Sequence, residues 1–197
     1  MDRKLYYYLS NPIRYSTYTF DSNIEKTNKT LSSIKNEINE YKYPTTFCGK
    51  EEGIETKNLT SYLASGITFF MEDKDGKIIG VINFDINEKK INIMGVCTPI
   101  VGGKIGNKLI LNVIDFAKQN NMKNIHLTCL TEKLRNYYKN IGFRELVSSI
   151  KSNDSEYESV YNMNMEIRQS NSKSRSKKSN GGKKTKRKPY SRIRHIL

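Results

Sequence analysis

The segment from Val96 to Leu109, VCTPIVGGKIGNKL, does most to limit the folds open to this chain. An apolar run ends, Gly102, Gly103 and Gly106 follow, and an amphipathic pattern starts at Ile105. Ile105, Leu109, Val113 and Ala117 recur every fourth position, and Ile110, Ile114 and Phe116 widen the stripe. A second apolar run from Asn124 to Leu130 places Ile125, Leu127 and Cys129 on one face. Strand, helix and strand within about thirty residues is the length of a parallel βαβ crossover. The turn opens directly onto the helix, whose first N–H groups are unpaired and carry the positive end of the dipole. Glycines there let backbone approach a bulky anion, and Lys104 and Lys108 add charge. Alone, the turn is equally well read as a strand-to-helix connection that uses glycine only for its dihedral freedom.

The surrounding pattern supplies the rest of the sheet. Leu5 to Leu9 reads as a strand, broken at Asn11-Pro12. Asp21 or Ser22 then reads as the N-cap of a helix whose face is Ile24, Leu31, Ile34, Ile38 and Tyr41, ended by Pro44. Thr45 to Lys57 is a polar loop, and Leu59 to Ala64 forms one or two helical turns. Ile67–Met71, Lys77–Ile86 and Ile91–Thr98 are three strands joined by the turns Asp73–Gly76 and Asn87–Lys90. Alternation places Ile91, Ile93 and Gly95 on one side of the third strand, with Asn92, Met94 and Val96 on the other. Thr131 caps a helix that runs to Ile141 and stops at Gly142. Phe143–Ile150 and Val160–Ile167 are further strands around the turn at Ser152–Ser155. The expected fold is α/β: a mixed sheet of about six to seven strands, an antiparallel meander leading into a parallel βαβ centre, flanked by helices.

Charge divides the chain in two. Of the formal +14, the eleven Lys and Arg from Ser170 onward, with no Asp or Glu beside them, account for +11, leaving +3 for residues 1–169. The expected organisation is a domain over 1–168 and a disordered basic tail over 169–197. Lys183–Lys188 is a compact basic run, suited to weak, salt-sensitive nucleic-acid contact or to nuclear import. Cys48, Cys97 and Cys129 are far apart, in no metal-binding spacing, and read as separate thiols in a reducing compartment; no metal is expected. No apolar run reaches membrane-span length, and the N-terminus lacks a signal-peptide core. These features imply an intracellular protein, cytoplasmic or nuclear, with no membrane partner. They leave oligomeric state open. His126 falls out of phase with the apolar face of its strand and reads as a partly exposed structural residue.

The turn Gly102-Gly103-Lys104-Ile105-Gly106-Asn107-Lys108-Leu109 after the strand at Val96, and Tyr137-Tyr138-Lys139-Asn140-Ile141-Gly142-Phe143 about thirty residues on, resemble the GNAT superfamily of acyl-CoA-dependent N-acyltransferases. In that family a Gln/Arg-x-x-Gly-x-Gly/Ala turn cradles the CoA pyrophosphate, and a later helix ends in Tyr-x-x-x-Gly-Phe. The resemblance is strongest from Phe69 to Phe143 and leaves the tail outside. Two positions depart from the pattern around the turn. Lys104 stands where the family has its first glycine, and Val101 where it has Gln/Arg. Thr131 replaces an Asn that contacts the cofactor arm in many members.

The resemblance implies acetyl-CoA as co-substrate and an amine acceptor, small molecule or protein, that attacks the thioester directly in a ternary complex. It implies cofactor contacts at Val96, Cys97, Thr98, Gly102, Gly103, Lys104, Ile105, Gly106, Asn107 and Thr131. Tyr138 would be the acid that protonates the leaving thiolate, since a phenol with pKa of about 10 matches a thiol in strength. Tyr137 and Phe143 are expected in the core. The strand Ile91–Thr98 holds no carboxylate, so Asp85 or Glu88 are the acids available to act as base, directly or through water. Cys97 reads as a small buried residue. The altered turn also fits a second reading: a catalytically weak CoA-binding or interaction module whose basic tail binds nucleic acid or a partner.

Overall fold

The computed structural model describes residues 3–41, 47–48, 55–99, 104–146 and 160–168. In chain order these form β1 (Lys4–Leu9), β2 (Ile24–Lys26), α1 (Leu31–Asn39), α2 (Thr56–Tyr62), β3 (Ile67–Glu72), β4 (Ile78–Asn87), β5 (Lys90–Cys97), α3 (Ile105–Gln119), β6 (Asn124–Cys129), α4 (Glu132–Ile141), β7 (Arg144–Glu145) and β8 (Tyr161–Glu166). The strands join in one mixed sheet of order β2-β1-β3-β4-β5-β6-β8-β7. The α/β class, the antiparallel meander β3-β4-β5 and the parallel β5–β6 step all match expectation. The sheet has eight strands rather than six or seven because β2, not foreseen, pairs parallel with β1.

That strand replaces the first turns of the expected long helix. Ile24 pairs with Leu5 at the sheet edge and is buried there. The helix starts only at Leu31, where the Thr30 side chain accepts a hydrogen bond from the Ser33 N–H. Between β1 and β2 the chain crosses the sheet: Tyr15, Tyr18 and Phe20 pack on the core around Phe116, and the Asn120 amide holds Thr19 through both its backbone groups.

Two cores lie on the two faces. On one, α3 and α4 cover Ile82, Phe84, Ile91, Ile93, Ile125 and Leu127. On the other, α1 and α2 cover Phe70, Ile78, Val81 and Cys97. Gly80 sets the height of α3, because a Cβ there would collide with Ile105 and lie 3.1 Å from Leu109 Cδ1. Gly66, at φ +75°, packs against the Phe84 carbonyl with no room for a side chain.

Three expectations are corrected. Met94 forms a bulge in β5: Asn83 pairs with Gly95 and Phe84 with Ile93. A bulge inverts the alternation beyond it, so Val96 joins Ile91 and Ile93 on the α3 face instead of opposing them. Cys48 and Cys97 are joined in a disulfide, leaving Cys129 as the free, buried thiol. The fold brings residues 49 positions apart to a Cα–Cα distance of 4.7 Å, which spacing along the chain does not reveal; the argument from separate thiols falls with it. The far end of the expected strand Phe143–Ile150, the turn at 152–155 and the tail lie outside the described residues, as do Gly102, Gly103 and Val101.

Candidate active site

The site begins where two parallel strands part. β5 and β6 pair from Lys90–Asn124 to Ile93–Leu127 and no further. Yet β5 runs on to Cys97, held by β4, and β6 to Cys129, held by β8. A fork therefore opens between Met94–Cys97 and Thr128–Cys129. Backbone polar groups facing it need partners, and an extended amide-bearing molecule supplies them in the manner of an added strand.

The N-terminus of α3 stands over the fork. Its N-cap, Lys104, sits in the left-handed region at φ 57°, ψ 11° and offers no side-chain cap. By contrast, Thr30 caps α1 and Thr131 caps α4. The first-turn N–H groups of α3, at Ile105, Gly106 and Asn107, are thus uncapped by side chains at the positive end of a 15-residue helix, a ready place for an anion. Gly106 floors this space. A Cβ on it would lie in ordinary contact, 3.6 Å from Thr98 Cγ2, 3.6 Å from Tyr137 Oη and 3.9 Å from Val96 Cγ1. The folded chain alone would accept alanine here; glycine leaves a hollow walled by Val96, Thr98 and Tyr137. These residues fit the phosphate and arm of acetyl-CoA.

The expected residues divide as follows. Val96, Thr98, Lys104, Ile105, Gly106 and Asn107 gather around the fork and the start of α3. The Thr131 hydroxyl accepts from Leu134 N–H as the α4 cap, which leaves its own proton available as a donor. Cys97 is at the end of β5, but its side chain points to the opposite core and is bonded to Cys48, so only its backbone borders the fork. Tyr138 is buried, 8 % exposed, with its ring edge-on to Tyr137 and Phe143. The hydroxyl that reaches the first turn of α3 belongs to Tyr137, which sequence reasoning had placed in the core.

Asp85 and Glu88 lie away from the fork. Glu88 is in the β4–β5 turn with φ 55°. Asp85 pairs with Asn92 near the start of β5. Its carboxylate accepts from Tyr15 Oη at 2.6 Å, from the Ile86 N–H at 2.7 Å and from Arg14. Burial first, and the Asp85 carboxylate second, push the Tyr15 phenol up to about 12. Asp85 is an anchor for the strap between β1 and β2 rather than a free base. Among the described residues no cluster of three or more His, Cys, Asp or Glu is placed to hold a metal.

A family model for the acetyltransferase (GNAT) domain matches residues 37–167. The chain belongs to the GNAT acetyltransferase family. Among solved structures, GNAT folds recur. The ribosomal-protein-S18-alanine N-acetyltransferase from Escherichia coli superposes with a TM-score of 0.54 at 12 % identity, covering 87 % of this chain and 98 % of that one. A GNAT family acetyltransferase from Elizabethkingia anophelis with acetyl-CoA bound matches with a TM-score of 0.47 at 19 % identity, over 57 % of this chain and 84 % of that one. No curated protein matches the chain by sequence. The GNAT match includes α3, the fork and α4 but stops short of β1, β2 and residues 168–197. Among the described residues no helix is long and apolar enough to cross a membrane.

Proposed function

We propose that this GNAT protein transfers an acetyl group from acetyl-CoA to an amine by direct attack in a ternary complex. The observation that carries the reading is the fork between β5 and β6 beneath an uncapped α3 N-terminus, floored by a glycine the fold itself does not require. The pyrophosphate would rest on the turn from Gly102 to Asn107, with Lys104 supplying charge. The pantetheine arm would follow β5 at Val96, Cys97 and Thr98, and Thr131 would donate its remaining hydroxyl proton.

The chemistry needs a neutral amine, a polarised carbonyl and a protonated leaving group. Tyr138 is the acid. Its phenol gives a proton to the departing thiolate as the C–S bond breaks and the C–N bond forms. The basic tail carries a separate, weak attraction for polyanions.

Calorimetry with acetyl-CoA tests the binding half. A saturable heat is expected, and its absence at millimolar ligand refutes the reading. Tyr138→Phe should bind acetyl-CoA as the parent does while thiol release to an amine falls by about 100-fold or more. Unchanged turnover would remove Tyr138 from the mechanism while leaving acetyl-CoA binding in place.

A further inference from the structure

On the sheet face opposite α3 and α4, the ladder registers set Asp85, Asn92, His126, Asn164 and Arg144 in one row across β4, β5, β6, β8 and β7. His126 alternates with Ile125 and Leu127, which pack in the α3 core, so it projects from the other face. Its pair with Asn92 is the last but one before the fork opens. Among the described residues its Nε2 is shut off from solvent and has no hydrogen-bond partner.

A second orphan lies on the far side of β5. Asn83 alternates with Ile82 and Phe84 of the α3 core and so shares the face of His126. Its Nδ2 donates to the Ser65 carbonyl at 2.9 Å and to Thr68 Oγ1 at 3.0 Å, which fixes the orientation of the amide. The fully buried Oδ1 has no partner. Asn83 pairs with Gly95 and His126 with Asn92, so the Met94 bulge lies between them. The two strands that carry them are about 10 Å apart, two strand spacings. Buried polar atoms without partners are rare in folded proteins and mark places where something else completes the bonding. An acceptor oxygen and an imidazole nitrogen on either side of one bulge, at the mouth of the fork, are complementary to a single N–H-rich group.

We propose that the acceptor's ammonium group seats between Asn83 Oδ1 and His126 Nε2 beside the β5 bulge, and that His126 is the base that takes its first proton. The proposal rests on the acetyl-transfer reading above. The ammonium sheds two protons in becoming an amide. His126 takes one before attack and returns it to solvent. The free amine then attacks the acetyl carbon, the C–N bond forms and the C–S bond breaks. The second nitrogen proton replaces the one that Tyr138 gives to the thiolate. The acceptor class is a primary amine on a slender, polar carrier, since the flanking positions Asn92, Thr128, Asn162 and Asn164 are uncharged hydrogen-bonding groups.

A base must be unprotonated when the ammonium arrives. Burial, and then the Lys90 charge on β5, lower the His126 imidazole below its ordinary value of 6.5. The other charges facing it along the row and beside it are Asp85 on β4, already engaged by Tyr15 and Arg14, Glu166 on β8 and Arg144 on β7.

The chain has two histidines, so a His195→Gln background leaves one imidazole signal in a carbon–proton spectrum. That signal should titrate below 6.5. Thiol release from acetyl-CoA is then followed with spermidine, glucosamine and a lysine-containing peptide as probe amines. For the amine that turns over, His126→Gln should lower kcat/KM by about 100-fold or more and erase the acid limb of its pH profile, with acetyl-CoA affinity unchanged. Added imidazole should restore rate to His126→Ala. Wild-type kcat/KM and pH profile in His126→Gln, or failure of imidazole to rescue His126→Ala, overturns the assignment while acetyl transfer stands. No turnover of any probe amine by the wild-type chain overturns both.

Discussion

Lys104 offers the sharpest test of how this chain departs from a regular glycine turn. It is exposed and held at φ 57°, with no side-chain bond to compensate. A non-glycine residue in the left-handed region costs about 1–2 kcal/mol. A cation at a helix N-terminus opposes the dipole by a further 0.3–1 kcal/mol or so. Lys104→Gly removes both penalties and adds back roughly 0.4–1 kcal/mol of unfolded-chain entropy. The expected net gain is about 1 kcal/mol, or about 2–4 °C in Tm for a chain of this size. Urea unfolding of the ligand-free protein reads it directly. Lys104→Ala keeps the backbone penalty and removes only the charge, so it should gain no more than a few tenths of a kcal/mol. The affinity for acetyl-CoA should move the opposite way in both variants, weakening by roughly threefold as a phosphate-facing charge is lost. A glycine variant no more stable than the parent, or an alanine variant equal to it, would refute the strain argument. Unchanged affinity would place the Lys104 ammonium away from the phosphates.

Gly80→Ala should force Ile105 off the sheet, costing about 1–3 kcal/mol and weakening acetyl-CoA binding by moving the α3 N-terminus; calorimetry and urea unfolding measure the two effects, and loss of stability without loss of affinity would contradict the placement of the site. Tyr15→Phe removes a hydrogen bond to a partly exposed carboxylate and should cost about 1–2 kcal/mol while leaving acetyl-CoA affinity intact. Because the Tyr15 phenol is raised from 10.0 to about 12 in the fold, its contribution is full below pH 10 and fades as pH rises from there through 12; the Tyr15→Phe variant should therefore lose less stability than the parent over that window. Reducing Cys48–Cys97 frees a closure of 49 residues, worth about 4 kcal/mol on the chain-entropy account; unfolding with and without a dithiol reductant checks it, and coincident curves would show that the bond does not form in solution.

How much was legible in the sequence follows from how local each signal is. Thr131 to Gly142 was readable because a cap, an apolar face and a left-handed glycine stop are all properties of one helix. Ile24 was misread because its seven-residue spacing to Leu31 is helical, whereas its burial comes from Leu5, a strand partner that no local pattern names. Met94 looked like one more alternating residue, and only the pairing of Asn83 with Gly95 exposes it as a bulge.

The sequence by itself determined the order of elements, the family and the glycine-marked start of α3, because these rest on periodicities and capping rules that act within a few residues. Tertiary structure alone decided which side chains share the site. It turned Val96 inward past the bulge and bonded Cys97 to Cys48. It brought the Tyr137 hydroxyl to Gly106, and it aligned Asn83 and His126 across β5. Each of these depends on register between strands, where a one-residue slip moves every side chain to the other face.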